Sequence, residues 1–123
     1  MKDEIWLIRA DGSQPTRLLE GDSMPRWSTD GKLIATHQFN VIDVATQTAR
    51  RLKIDGLSTD AGAASLSPDN NYVLFESDDR NRQAGIARVV YEDEAAAKSN
   101  TMTLLLERPA YEPRWSPVPL LNQ

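Results

Sequence analysis

The sequence predicts an all-β fold made of four-stranded antiparallel units that recur about every 40 residues. Three observations predict it. One phrase is written three times, as "PRWSTDGKLIAT" (25–36), "ASLSPDNNYVLF" (64–75) and "PRWSPVPLL" (113–121), with its serines at Ser28, Ser67 and Ser116. The first two copies each carry a tight-turn signature followed by an apolar strand. Between the copies lie pairs of strand-like runs joined by short polar turns.

The elements follow in order. "EIWLIRA" (4–10), a "DGS" turn (11–13) and "TRLLE" (16–20) read as a hairpin. In "STDG" (28–31), Ser28 and Asp30 are turn formers, and Gly31 supplies the positive φ that closes the turn into "KLIAT" (32–36). "NVIDVAT" (40–46) and "TARRLKI" (48–54) form the next hairpin, with Gln47 at its turn. In "SPDN" (67–70), Pro68 presets φ, and Asn70 stands where the first copy has glycine. Asparagine is among the few non-glycine residues that tolerate a left-handed conformation. "YVLFE" (72–76), "GIARVVY" (85–91) and "TMTLLLER" (101–108) complete that unit. The connection "EDEAAAKSN" (92–100) contains helix formers, and "DEAAAK" is read either as one helical turn or as an exposed loop. The third phrase departs, because Val118 is β-branched and Pro119 has neither a free φ nor an N–H, so "SPVP" cannot make the same turn.

"IWLIRADGSQPTRLL…PRWSTDGKLIAT" and "FESDDRNRQAGIARVV" resemble the WD40-like repeat of the TolB-type β-propeller family over nearly all of residues 4–118. The family pattern has proline where this chain has Thr29, tryptophan where it has Leu66 and glycine where it has Asn70. The resemblance implies that the Trp-Ser segments are innermost strands lining a central channel, and that "TRLL", "ARRL" and "TLLL" are outermost. Trp27, Leu66 and Trp115 are then expected to pack between neighbouring blades. A strand count gives whole blades over 25–54 and 64–108, an outer remnant over 4–20 and an inner remnant over 112–121. The chain is expected to be half a propeller. Rings need about four to eight blades, and an open stack leaves apolar faces and strand edges in water. Two copies completing each other's remnants about a two-fold axis would make six. The alternatives are a fragment of a longer propeller and pairing with another chain.

Composition narrows the chemistry. The 123 residues hold 14 basic and 18 acidic side chains, a formal charge of −4, which argues against a general nucleic-acid partner. With no cysteine, disulfides and thiol chemistry are excluded. No apolar run reaches the roughly 18 residues of a membrane span, so no membrane insertion is expected. "MKDEIWLIRADG" has no signal-peptide core, so a cytoplasmic location is expected unless the sequence is trimmed from an exported protein.

A single histidine and the lack of any nucleophile, P-loop or dinucleotide motif point away from an enzyme. No metal or cofactor is expected. "ESDDR" (76–80) gathers carboxylates without the spacing of a calcium loop and reads as a solvated loop. The candidate ligand-binding residues are Arg26 and Arg114, equivalent by repeat, within a rim of Asp22, His37, Asp60, Asp78, Asp79 and Glu112. Arginine forks suit carboxylates and phosphates, although each could instead pair with a neighbouring acid. The expected function is a non-catalytic propeller module that binds a protein or peptide segment as a homodimeric six-bladed ring. The alternatives are a small-molecule or carbohydrate site at the channel mouth, an enzyme fragment using that mouth, and a propeller piece with no role beyond assembly.

Overall fold

A computed structural model describes residues 3–56, 61–76, 84–94 and 103–104. They form an all-β chain of antiparallel sheets. The N-terminal hairpin pairs β1 (Glu4–Leu7) with β2 (Thr16–Glu20). A four-stranded meander follows, in the order β3 (Arg26–Trp27), β4 (Leu33–Ala35), β5 (Asn40–Asp43), β6 (Thr48–Arg51). The second meander runs β7 (Gly62–Leu66), β8 (Tyr72–Glu76), β9 (Ala84–Arg88), β10 (Thr103–Leu104).

Successive residues of a strand face opposite ways, and this alternation stacks the sheets. In the first meander Ile34 pairs with Ile42 on one face, while Ala35 pairs with Val41 on the other. Ile34 and Ile42 bury themselves under Ile5 of β1, with Leu18, Leu19 and Val44 closing the margin. Ala35 and Val41 pack against Ala64, Leu66, Val73, Phe75 and Ala87 of the second meander. Phe39 joins this second core, and its ring meets Phe75 edge-on at 5.2 Å. The first meander is therefore apolar on both faces and lies between the other two sheets.

The strands are shorter than the sequence runs, for local reasons. β1 stops at Leu7 because the turn already starts at Arg9, whose carbonyl accepts from Gly12 N–H at 2.8 Å. β5 stops at Asp43, whose carbonyl accepts from Gln47 N–H; Gln47 holds a φ of 59°. β6 stops at Arg51; Leu52 still donates its N–H to the Phe39 carbonyl but also bridges Tyr91, and Lys53 N–H then donates to the Val90 carbonyl, so the chain turns to the second meander. A 3-10 turn at Glu92–Glu94 starts ahead of the expected "DEAAAK" helical turn, whose remaining residues lie outside the described ones. Of the expected strand 101–108 only Thr103–Leu104 is described, and the expected inner remnant, 112–121, lies outside the described residues.

Candidate functional site

The repeated turns are alike atom by atom. Ser28 Oγ donates to Asp30 Oδ1, Lys32 N–H donates to that same oxygen, and Leu33 N–H donates to Ser28 Oγ. Ser67, Asp69, Asn71 and Tyr72 make the same three bonds. Gly31 and Asn70 take the positive φ, 73° and 64°. The serine hydroxyl hydrogen bond, followed by the backbone N–H, holds the Asp30 and Asp69 carboxyls below the ordinary value of 3.8. Asn70 does more than replace glycine. Its Nδ2 donates to Asp30 Oδ2 at 2.9 Å and ties one turn to the other.

Asp22, expected on a ligand-binding rim, is 2% exposed. Its Oδ1 accepts from the N–H groups of Ser23 and Gln38, and its Oδ2 from Asn40 Nδ2 and the Thr36 hydroxyl. Four donors from both sides of β4 fill the carboxylate, so Asp22 locks the entry to β3 onto the bend at 36–40. His37 also serves packing. Its Nδ1 accepts from Ala63 N–H at 3.2 Å, and its ring lies over Gly62, where a β-carbon would clash. His37 thereby joins the first meander to β7.

Arg26 is half-buried on the face of β3 that turns toward the second meander, since it pairs with Ala35. No described carboxylate lies within ion-pair distance of it, unlike Arg17, which pairs with Glu4 and Glu20, and Arg50, which pairs with Asp93. Trp27 was expected to be buried between blades; in this chain it is 57% exposed. The reason is positional. Trp27 shares the Ile34 face, and the hairpin that covers Ile34 has only two strands and stops short of β3. Leu66 is 6% exposed and lies in the core between the two meanders. Asp60, Asp78, Asp79, Glu112, Arg114 and Trp115 lie outside the described residues.

Sequence reading missed the outer clamp. Arg50 donates to both oxygens of Asp93 and lies over the Tyr91 ring at 3.9 Å, linking the outer strand of one meander to the chain that follows β9 in the next. The only signal for it was an arginine on an outer strand and the acidic run at 92–94. Among the described residues no group of three His, Cys, Asp or Glu side chains could hold a metal ion. Among them, too, no helix is long and apolar enough to cross a membrane. In comparisons with known proteins, no family model matches the chain and no curated protein matches it.

Proposed function

We propose that the chain is a non-catalytic repeat module of the TolB-type propeller kind. It binds a peptide or protein segment and works as a two-fold ring of six blades. The propeller reading is supported by the two turns, which repeat every hydrogen bond 39 residues apart, and by face-to-face packing of two four-stranded meanders. The non-catalytic reading is supported by the engagement of the polar groups. Both turn serines and the His37 Nδ1 hold backbone N–H groups, and Asp22 holds four donors.

Arg26 is the observation that carries the binding reading. It sits on β3, the inner-edge strand of its meander, with no acidic partner among the described residues. A half-buried guanidinium free of a carboxylate is a fork for one supplied by a ligand. The test is calorimetric titration with a glutamate-rich peptide ending in a free carboxylate, beside a neutral peptide of equal length. The acidic peptide is expected to bind more tightly, to weaken as salt rises and to lose its advantage in Arg26→Gln. Equal binding of both peptides, or an unchanged affinity in Arg26→Gln, removes Arg26 from the site. Preference for an acidic oligosaccharide would instead favour the small-molecule reading.

A further inference from the structure

We infer that Arg26 and His37 together form a two-donor seat for one carboxylate of the bound peptide, with the imidazole Nε2–H as the second donor. This rests on the acidic-peptide reading above and adds to it a second contact residue. Both side chains leave the first meander on one face. Arg26 pairs with Ala35, and Ala35 packs into the core shared with the second meander. His37 follows Ala35 by two residues, which along an extended chain restores the same side. Its ring reaches β7 of the second meander. The ladder between the two segments continues past β3, since His37 N–H donates to the Ser23 carbonyl at 2.9 Å. Arg26 and His37 are therefore diagonal neighbours across that ladder, a relation that sets α-carbons about 7–8 Å apart, within reach of long side chains. β7 lies alongside both β3 and β4, so the pair stands at the seam between the meanders.

The proton is on the nitrogen that the seat needs. Nδ1 accepts from Ala63 N–H at 3.2 Å, so the neutral ring carries its proton on Nε2. Among the described residues no hydrogen bond uses Nε2, and none uses the Arg26 guanidinium. Both side chains are half-buried, where a hydrogen bond to a charged group counts for more than in open water. Asp22, on the chain that leads into β3, does not compete for them, because four donors already fill it. The ring is also fixed in place. It lies against Gly62, where a β-carbon would clash. Ala63, which supplies the N–H, is 2% exposed and holds a φ of 55° where the register between β7 and β8 shifts. A left-handed non-glycine residue at such an irregularity is costly, and such features gather at binding sites, where they aim a side chain. Here the side chain aimed is His37. A carboxylate has two oxygens, so one takes the guanidinium and the other the Nε2–H.

The experiment uses the full chain. His37 is its single histidine, so the imidazole nitrogens give one set of nitrogen-15 signals that need no assignment. Recorded at about pH 8, where an ordinary imidazole is neutral, they should show the proton on Nε2. The glutamate-rich peptide should move the Nε2 signal and leave Nδ1 an acceptor. Two variants divide the roles of the ring. In His37→Asn the amide oxygen stands in for Nδ1 and nothing replaces Nε2. In His37→Gln the amide nitrogen stands in for Nε2 and the acceptor at Nδ1 is lost. His37→Asn should bind the acidic peptide roughly 10-fold more weakly, the worth of one hydrogen bond to a charged group. His37→Gln should bind it more tightly than His37→Asn does, while unfolding at lower urea than wild type. The same peptide with an amidated end identifies the seated carboxylate. A loss of affinity selects the chain end and an unchanged affinity a glutamate side chain, and the Nε2 shift must accompany either. If His37→Asn fails to fold, the wild-type nitrogen signals decide alone. An unmoved Nε2 signal on binding, a proton found on Nδ1, or wild-type affinity in His37→Asn overturns His37 as the second donor. Arg26 then still stands if Arg26→Gln abolishes the acidic preference. Equal binding of the acidic and the neutral peptide overturns both.

Discussion

Replacing Gly62 by alanine tests whether the first and second meanders are held in register by His37. A β-carbon at position 62 would lie 2.8 Å from His37 Nε2 and nearer still to Cε1 and Nδ1. The ring has little freedom to retreat: Nδ1 accepts from Ala63 N–H, and the His37 backbone N–H is fixed to the Ser23 carbonyl at 2.9 Å. Overpacking of this kind costs about 1–3 kcal/mol. Turning the ring away strands the N–H of Ala63, a residue 2% exposed, for about 1–3 kcal/mol more. The two responses are partly alternatives, so the expected loss is about 2–4 kcal/mol. Urea unfolding followed by circular dichroism measures it, at one fixed protein concentration so that the proposed assembly would not bias the comparison. His37→Ala opens the space, so the double variant should be less destabilised than the singles added together, by about 0.5–3 kcal/mol. A Gly62→Ala variant within about 0.5 kcal/mol of wild type, or strict additivity in the cycle, would refute the account of His37 as the register lock.

The remaining expectations concern the repeated turns. Asn70→Ala loses both the bond to Asp30 and the tolerance of a left-handed φ, and should cost about 1–2 kcal/mol in urea unfolding. Asn70→Gly loses only the bond and should cost less than the alanine; the reverse order would deny the left-handed strain its part. The folded-state values of Asp30 and Asp69 are lowered from 3.8 by the Ser28 and Ser67 hydroxyls and then by backbone N–H groups. Their contribution is therefore complete above the unfolded value and is lost as pH falls through the lower folded values. Stability should decline below about pH 4, and the decline should shrink in Asp30→Asn/Asp69→Asn; an identical acid limb in that variant would locate the titration elsewhere.

Local chemistry made the turns legible, and partners distant in sequence hid the rest. Ser28, Asp30 and Gly31 lie within four residues, so the turn they form needs nothing from elsewhere, and Asn70 at the glycine position announced its own φ of 64°. The apolar run "YVLFE", following directly on the second turn, likewise marked a strand at Tyr72–Glu76. Asp22 read as a rim residue because its partners are Thr36, Gln38 and Asn40, which only folding brings to it. His37 read as another rim residue because its contacts, Gly62 and Ala63, belong to the other meander. Ala63 at φ 55° and Phe39 at φ 66° carry no sequence signal at all; packing imposes conformations that their residue types disfavour. Trp27 was misjudged for another reason. Its expected burial presumed a complete neighbouring sheet, and the neighbour in this chain is a hairpin.

That hairpin also separates two properties that adjacent residues would otherwise confuse. Consecutive side chains of a strand point to opposite faces, so Arg26 and Trp27 look in opposite directions from β3. Arg26 turns with Ala35 toward the second meander, and Trp27 turns with Ile34 toward the open side of the hairpin. The proposed ligand site therefore lies on one face of the strand and the exposed Trp27 on the other. A charge removed at position 26 leaves the apolar face intact, and a charge introduced at position 27 leaves the guanidinium in place. Binding of an acidic peptide and the mass of the particle can thus be perturbed separately within one dipeptide, and the pattern of losses assigns each residue its role.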